Sequence, residues 1–326
     1  MLSPQDGSAQ VIPFPDNVRC IGATDSWLAL DFVDTQTRTR TTRISKRKKK
    51  ITSTRTCYYL HNYFSDTTVS LPELEKIIGN VSKRFEVRKV LMKSPPTGLV
   101  ALRTNMYDHP IILLRPGKGE WLPNKPQTTL LLSRIIDIAF FQDKLYGITQ
   151  AEDLISLSIT FGSDGLPAVT NIELVVKHPG GDREHVSEET RKSSGDYIVD
   201  DGVWVKELGD VINMTIWYLV ESRGKLLMVR RHLRVSDDTC FSCKVEIFEA
   251  DTSTRNWLPV SSGLDGQALF ISRRFSKSVF ACGEVKVDSI YFIDMAGEVF
   301  NMISKTATPL NTFHIRASCL FLPGSF

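Results

Sequence analysis

"VEIFEADTSTRNWLP", Val245 to Pro259, holds an apolar strand, a polar turn and a short second strand that stops on Leu-Pro. The same order recurs in "IILLRPGKGEWLP" (Ile111 to Pro123) and in "YYLHNYFSDTTVSLP" (Tyr58 to Pro72). "FLP" closes a further group at Pro323, and "KHP" at Pro179 closes one less clearly. The successive gaps between these prolines are 51, 56, 80 and 64 residues, so the loops are uneven while the endings repeat. A proline suits the end of an outermost strand, because an edge can lose one ladder donor and pairing stops there.

Working outward, strand signals dominate the chain. Short runs such as "SWLALDF", "LVALRT", "KLYGIT", "IWYLV", "KLLMVRR" and "SIYFID" are rich in branched and aromatic residues and are bounded by turn formers. One segment, "LPELEKIIGNVSKRF", reads as a short helix near residues 72–79, with Pro72 in its first turn and Gly79 at its end. A four-stranded antiparallel sheet exposes apolar surface on both faces, so repeated copies bury those faces by standing around an axis. We therefore assign an all-β fold, a single β-propeller of four-stranded antiparallel blades. Five units are assigned, at about 18–72, 85–123, 134–179, 214–260 and 267–323. Six blades are the alternative count, since "GQALFISRRFSKSVFACG" has strands to spare. A β-sandwich whose Leu-Pro endings recur by chance is the rival architecture. Residues 1–10 form an N-terminal tail and 11–326 the propeller, with long loops expected at about 34–56 and 180–212.

Composition narrows the class of role. The 326 residues are 42% hydrophobic and 24% charged, enough for a large core, and the net charge of +3 excludes a molecule-wide polyanion binder. Charge asymmetry is local: a basic run near Lys48 and an acid-leaning stretch from Asp182 to Asp210. The N-terminus lacks the basic-then-apolar order of a secretory leader. The longest apolar run, "TLLLSRIIDIAFF", is broken by Arg134 and Asp137, so no membrane association is expected. A cytoplasmic or nuclear protein that is not secreted, with reduced thiols, is the expectation.

The basic run Lys46, Arg47, Lys48, Lys49 and Lys50 falls between two strands of the first blade, inside the segment expected to be a loop. It carries three readings: a solvated excursion, an import signal, or a basic contact loop for nucleic acid. No aromatic residue lies within it to stack on bases.

No nucleophile elbow, phosphate-binding glycine loop or metalloprotease helix is present. The six histidines are dispersed, and none is paired at ligand spacing on a helix. Cys240 and Cys243 have metal-like spacing but lack a second pair, and in an extended strand they point to opposite faces. Tryptophans 27, 121, 204, 217 and 257 suggest packing between blades rather than sugar stacking. No catalytic residue, metal or cofactor is assigned. A propeller enzyme would need convergent carboxylates at the channel mouth, for which Asp137, Asp153 and Asp294 are the candidates.

The blocks "RCIGATDSWLALDF", "LHNYFSDTTVSLPELEKIIG", "RKVLMKSPPTGLVALRTN", "PIILLRPGKGEWLP", "RIIDIAFFQDKLYGIT", "VESRGKLLMVRR", "KVEIFEAD" and "DSIYFID" occur in one order. Together, from about Val11 to Pro323, they resemble the plant KIB-type β-propeller domain found in many F-box proteins. The resemblance implies a propeller that captures the target of a Skp1–cullin–F-box ubiquitin ligase. About ten residues precede the first block, too few for an F-box, so direct binding of a Skp1-type adaptor is not expected. Ser26 stands where the family often has glycine. The function expected is a non-catalytic protein-interaction module that holds an unknown protein partner through its rim loops. A channel enzyme and a nuclear nucleic-acid binder using Lys46 to Lys50 are the alternatives.

Overall fold

The computed structural model describes residues 17–310 except 24–26, 42–47, 75–76, 78–85, 94–97, 123–131, 179–195, 200–202, 209–210, 237–238 and isolated positions between them. Five small sheets stand in a ring as a five-bladed β-propeller. Blade 1 holds β1 (Val18–Ala23), β2 (Trp27–Thr41), β3 (Lys48–Asn62) and β4 (Thr67–Ser70), paired in that order. Blade 2 holds β5 (Val87–Lys93), β6 (Leu99–Thr104), β7 (Ile111–Arg115) and β8 (Gly119–Trp121). Blade 3 holds β9 (Ile135–Phe141), β10 (Lys144–Thr149), β11 (Leu154–Phe161) and β12 (Pro167–Val176).

Blade 4 is wider. Its inner-to-outer strands are β15 (Val211–Ser222), β16 (Lys225–Val235), β17 (Cys240–Asp251) and β18 (Asn256–Pro259). A preceding hairpin, β13 (Asp196–Val199) and β14 (Val203–Leu208), pairs with the first residues of β15, from Val211 to Thr215. Blade 5 runs β20 (Ser276–Phe280), β19 (Gln267–Ile271), β21 (Ser289–Phe292), β22 (Glu298–Asn301) and β23 (Thr306–Pro309) in spatial order. Here β19 pairs parallel with β21, because the chain enters at the second position, turns inward to β20 and then crosses back.

The ring is held by five apolar clusters, one at each seam between blades. Strand alternation builds them. In β7, Ile112 and Leu114 face blade 1, while Ile111 and Leu113 face blade 3. In β16, Leu226 and Met228 face blade 3, whereas Leu227 and Val229 face blade 5. A strand flanked by neighbours on both faces needs no polar side, and "LVALRT" is accordingly buried from end to end. The fifth cluster joins Ala268, Phe270 and Phe275 to Cys20, Ala23 and Leu28, closing the ring from blade 5 to blade 1. Each fully buried Leu, Ile, Val or Phe adds about 1.5–3 kcal/mol.

Four expectations change. The segment expected as a loop over 34–56 is largely ladder: β2 and β3 pair from Trp27↔Asn62 out to Thr41↔Lys48. Its alternating threonines supply β-branched cross-strand pairs, Thr35↔Thr54 and Thr37↔Thr52, which a polar composition concealed. The segment 180–212 likewise contains a hairpin, and blades 4 and 5 have six and five strands rather than four. The spare strand of "GQALFISRRFSKSVFACG" is β20 at the inner edge of blade 5, not a sixth blade. The last described strand of blade 5, β23, runs to Pro309, and Pro323 lies outside the described residues. The helical segment is present at Pro72, Leu74 and Ile77, and the two apolar residues are buried in the seam of blades 1 and 2.

Candidate functional site

The innermost strands β1, β5, β9, β15 and β20 define an upper rim, where they begin. The β2–β3, β6–β7, β10–β11 and β16–β17 connections lie on the same rim. Among the described residues the buried charged side chains are Asp31, Lys89, Arg103, Asp137, Glu152, Arg231 and Glu298. Each sits towards that end of its blade: near the start of an inner strand, near the end of the strand paired with it, in a connection there, or opposite such an end. The upper mouth of the ring is therefore charged inside.

At the axis Lys89 of β5 donates through Nζ to both carboxylate oxygens of Asp137 on β9, at 2.7 and 3.0 Å, and to Ser276 Oγ on β20 at 3.3 Å. Asp137 also accepts the backbone N–H of Leu219 on β15 at 2.7 Å and of Ile138 at 2.8 Å. One ion pair thus ties the inner strands of blades 2, 3, 4 and 5. Burial lowers the Lys89 amine from its ordinary value, and the Asp137 charge opposes that. Removing one partner of such a pair costs about 3–5 kcal/mol because the other charge stays buried.

Between blades 3 and 4, Glu152 in the β10–β11 connection has φ of 65° and projects into blade 4. It accepts Trp217 Nε1 at 2.7 Å, pairs with Arg230, and lies 2.8 Å from His178 Nδ1. Its own carbonyl accepts Trp257 Nε1 at 2.8 Å. Arg230 also reaches Glu246 at 3.2 Å and lies over the Phe248 ring. Burial alone would raise the Glu246 carboxyl. Lys244, His232 and Arg230 outweigh that and hold it down at about 2.

Between blades 4 and 5 the fully buried Arg231 donates to Glu298 at 2.9 Å, to Ser242 Oγ at 2.7 Å and to the Asp294 carbonyl at 3.3 Å. Its guanidinium lies 4.0 Å from the centre of the Phe292 ring. The Asp294 carboxylate accepts Arg273 N at 2.6 Å and Tyr218 Oη at 3.3 Å, and burial raises its pKa and that of Tyr218. At the closing seam Arg274 donates to the Cys20 carbonyl at 3.2 Å and approaches Glu86 of the second blade at 3.9 Å. Arg19 makes a two-pronged bond to Asp31 at 3.0 and 2.5 Å.

The chain that forms this five-bladed ring is matched by the family description KIB1-4 beta-propeller over residues 1–313. The chain belongs to that family. No curated protein matches it.

In this KIB1-4 beta-propeller the three candidate carboxylates do not converge. Asp137 is spent on Lys89 at the axis, Asp294 sits in the seam of blades 4 and 5, and Asp153 accepts the His178 N–H at 3.3 Å at the seam of blades 3 and 4. Lys48, Lys49 and Lys50 lie on β3, opposite Thr41, Arg40 and Thr39, whereas Lys46 and Arg47 lie outside the described residues. Cys240 packs against the seam of blades 4 and 5, where burial raises its thiol, and Cys243 is exposed beside a bulge. Among the described residues no three His, Cys, Asp or Glu side chains gather as a metal site. Cys240, Cys243 and Cys282 are free thiols, while Cys20 is disulfide-bonded, so the expectation of reduced thiols fails there.

Trp27, Trp121, Trp217 and Trp257 pack in seams between blades. Sequence reasoning missed Lys89, Glu152, Arg230 and Arg231. The signal for three of them was a charge inside an otherwise apolar strand, as in "VRKVLMK" and "KLLMVRRHL". Nothing in the sequence marked Glu152, which lies in a turn.

Proposed function

We propose that this propeller is a non-catalytic protein-interaction module, which holds a protein partner on its upper rim and resembles the substrate-binding propeller of F-box proteins. One observation carries the reading. The charged pairs Lys89–Asp137, Glu152–Arg230 and Arg231–Glu298 at the upper mouth join strands across seams, so they make the ring rigid rather than present groups to a reacting bond. Rigid scaffolds concentrate binding on the connections they display, and the two largest departures from a plain blade both rise from this rim. These are the long β2–β3 hairpin and the β13–β14 hairpin. A Skp1-type adaptor is not expected to bind the propeller directly. Where the propeller is joined to an F-box, its role is to present the captured protein.

A photo-crosslinking residue placed at exposed Arg234, on the upper rim, tests this against one placed at exposed Ser253, on the opposite rim. The expected result is a discrete crosslinked protein from position 234 and none from 253. Equal labelling from both positions, or a chain that turns over a small-molecule substrate at the ring's mouth, overturns the reading.

A further inference from the structure

Blade 1 carries more strand than the blade uses. β1 accompanies β2 only as far as Phe32, with a last bond from Val33 N to the Asn17 carbonyl. On the other side β4 accompanies β3 only from Tyr59 to Asn62. From Asp34 to Thr41 and from Lys48 to Arg55 the two strands pair only with each other among the described residues. The eight pairs from Asp34↔Arg55 to Thr41↔Lys48 extend roughly 27 Å at about 3.4 Å per residue.

Two properties of this ribbon point to a ligand. Among the described residues its outer edges leave backbone donors and acceptors without a ladder partner, which is the template for adding a further strand. Its charge is lopsided: the paired residues 34–41 and 48–55 contain six Lys or Arg and one Asp. The register sets Arg40 directly opposite Lys49, a like-charge pair that weakens a ribbon already marginal as two strands. An added strand bearing carboxylates would relieve both costs at once.

We infer that the ribbon is a docking arm for an extended acidic peptide segment of a partner protein, which joins its open edge as a third strand. This rests on the protein-interaction reading above and specifies the partner's chemistry. Double-stranded nucleic acid fits less well. The whole chain is only +3, so outside the strongly basic ribbon it is net acidic and would repel a phosphate duplex. Single strands find no aromatic residue between 34 and 56 on which to stack.

The test uses the full chain and fluorescent twelve-residue probes. One is a Glu-Thr repeat that can form a strand. The other is a Glu-Pro repeat of equal charge, which lacks alternate N–H groups and cannot join a ladder. A duplex DNA is the third probe. The Glu-Thr probe should bind at least about tenfold more tightly than the Glu-Pro probe, and tighter than the duplex at equal salt. Arg38→Glu/Arg40→Glu/Lys48→Glu/Lys49→Glu should remove its binding while the ring's denaturation midpoint holds. Equal binding of the two peptides would overturn strand addition. Preference for the duplex would overturn the acidic-peptide assignment, as would no binding of either peptide. Crosslinking from position 234 reads the rim independently of the ribbon, so the two proposals fail separately.

Discussion

Glu246 shows how single side chains set the behaviour of the seams. Its carboxyl has an ordinary value of 4.5 and is held at about 2 in the folded chain by Lys244, His232 and Arg230, against the opposing effect of burial. A carboxylate lowered in this way stabilises the fold above its unfolded value, and that contribution disappears as pH falls towards the folded one. Wild type should therefore exceed Glu246→Gln in denaturant midpoint at pH 7, with the gap shrinking between about pH 4.5 and about 2. A gap that stays constant across that window would show that the carboxylate is not held by its cationic neighbours. Lys89 is the opposite case, a cation kept at the axis by one carboxylate, whose neutral form burial favours. Neither position could be assigned from sequence. Lys89 is one lysine among many, and only the ring brings Asp137 to it from 48 residues away.

At the scale of elements, the outer hairpins of three blades share one turn. Asn62 accepts the N–H groups of Phe64 and Ser65 at 3.0 and 2.9 Å, and Asn301 does the same for Ile303 and Ser304 at 3.0 and 2.9 Å. Asp251 accepts those of Ser253 and Thr254 at 2.9 and 3.2 Å. The residue four places on, Asp66, Arg255 or Lys305, takes a positive φ of 53°, 59° or 57°. An Asn or Asp whose side chain satisfies the turn fixes the register of the short outer strand that follows. Asn62→Ala should cost about 1 kcal/mol and Asn62→Asp much less, read as shifts in denaturant midpoint. Equal losses would show that the side chain does not shape the turn.

This turn recurs in three blades at one position in the hairpin, whereas the last Leu-Pro ending, at Pro323, lies outside the described residues. The endings report only where an edge stops, whereas the turn reports a register. The strands themselves were legible because both faces are buried and their apolar runs are continuous. The β2–β3 ribbon and the β13–β14 hairpin were not, since polar strands have the composition of loops. The upper-rim site was legible only as loops on a ring, because its charged pairs join blades that are far apart in sequence.

For the whole molecule, closure is the central claim, and the seams are unequal. Among the described residues the seam of blades 4 and 5 has sixteen buried apolar residues, and that of blades 5 and 1 has six. At the closing seam Arg274 reaches across 254 residues of sequence to the Cys20 carbonyl. That contact exists only if the last blade meets the first. The most direct measurement places a photo-crosslinking residue at position 274 and maps the products by mass spectrometry. A closed five-bladed ring predicts a crosslink to the segment around Cys20. Crosslinks confined to blades 4 and 5 would contradict it.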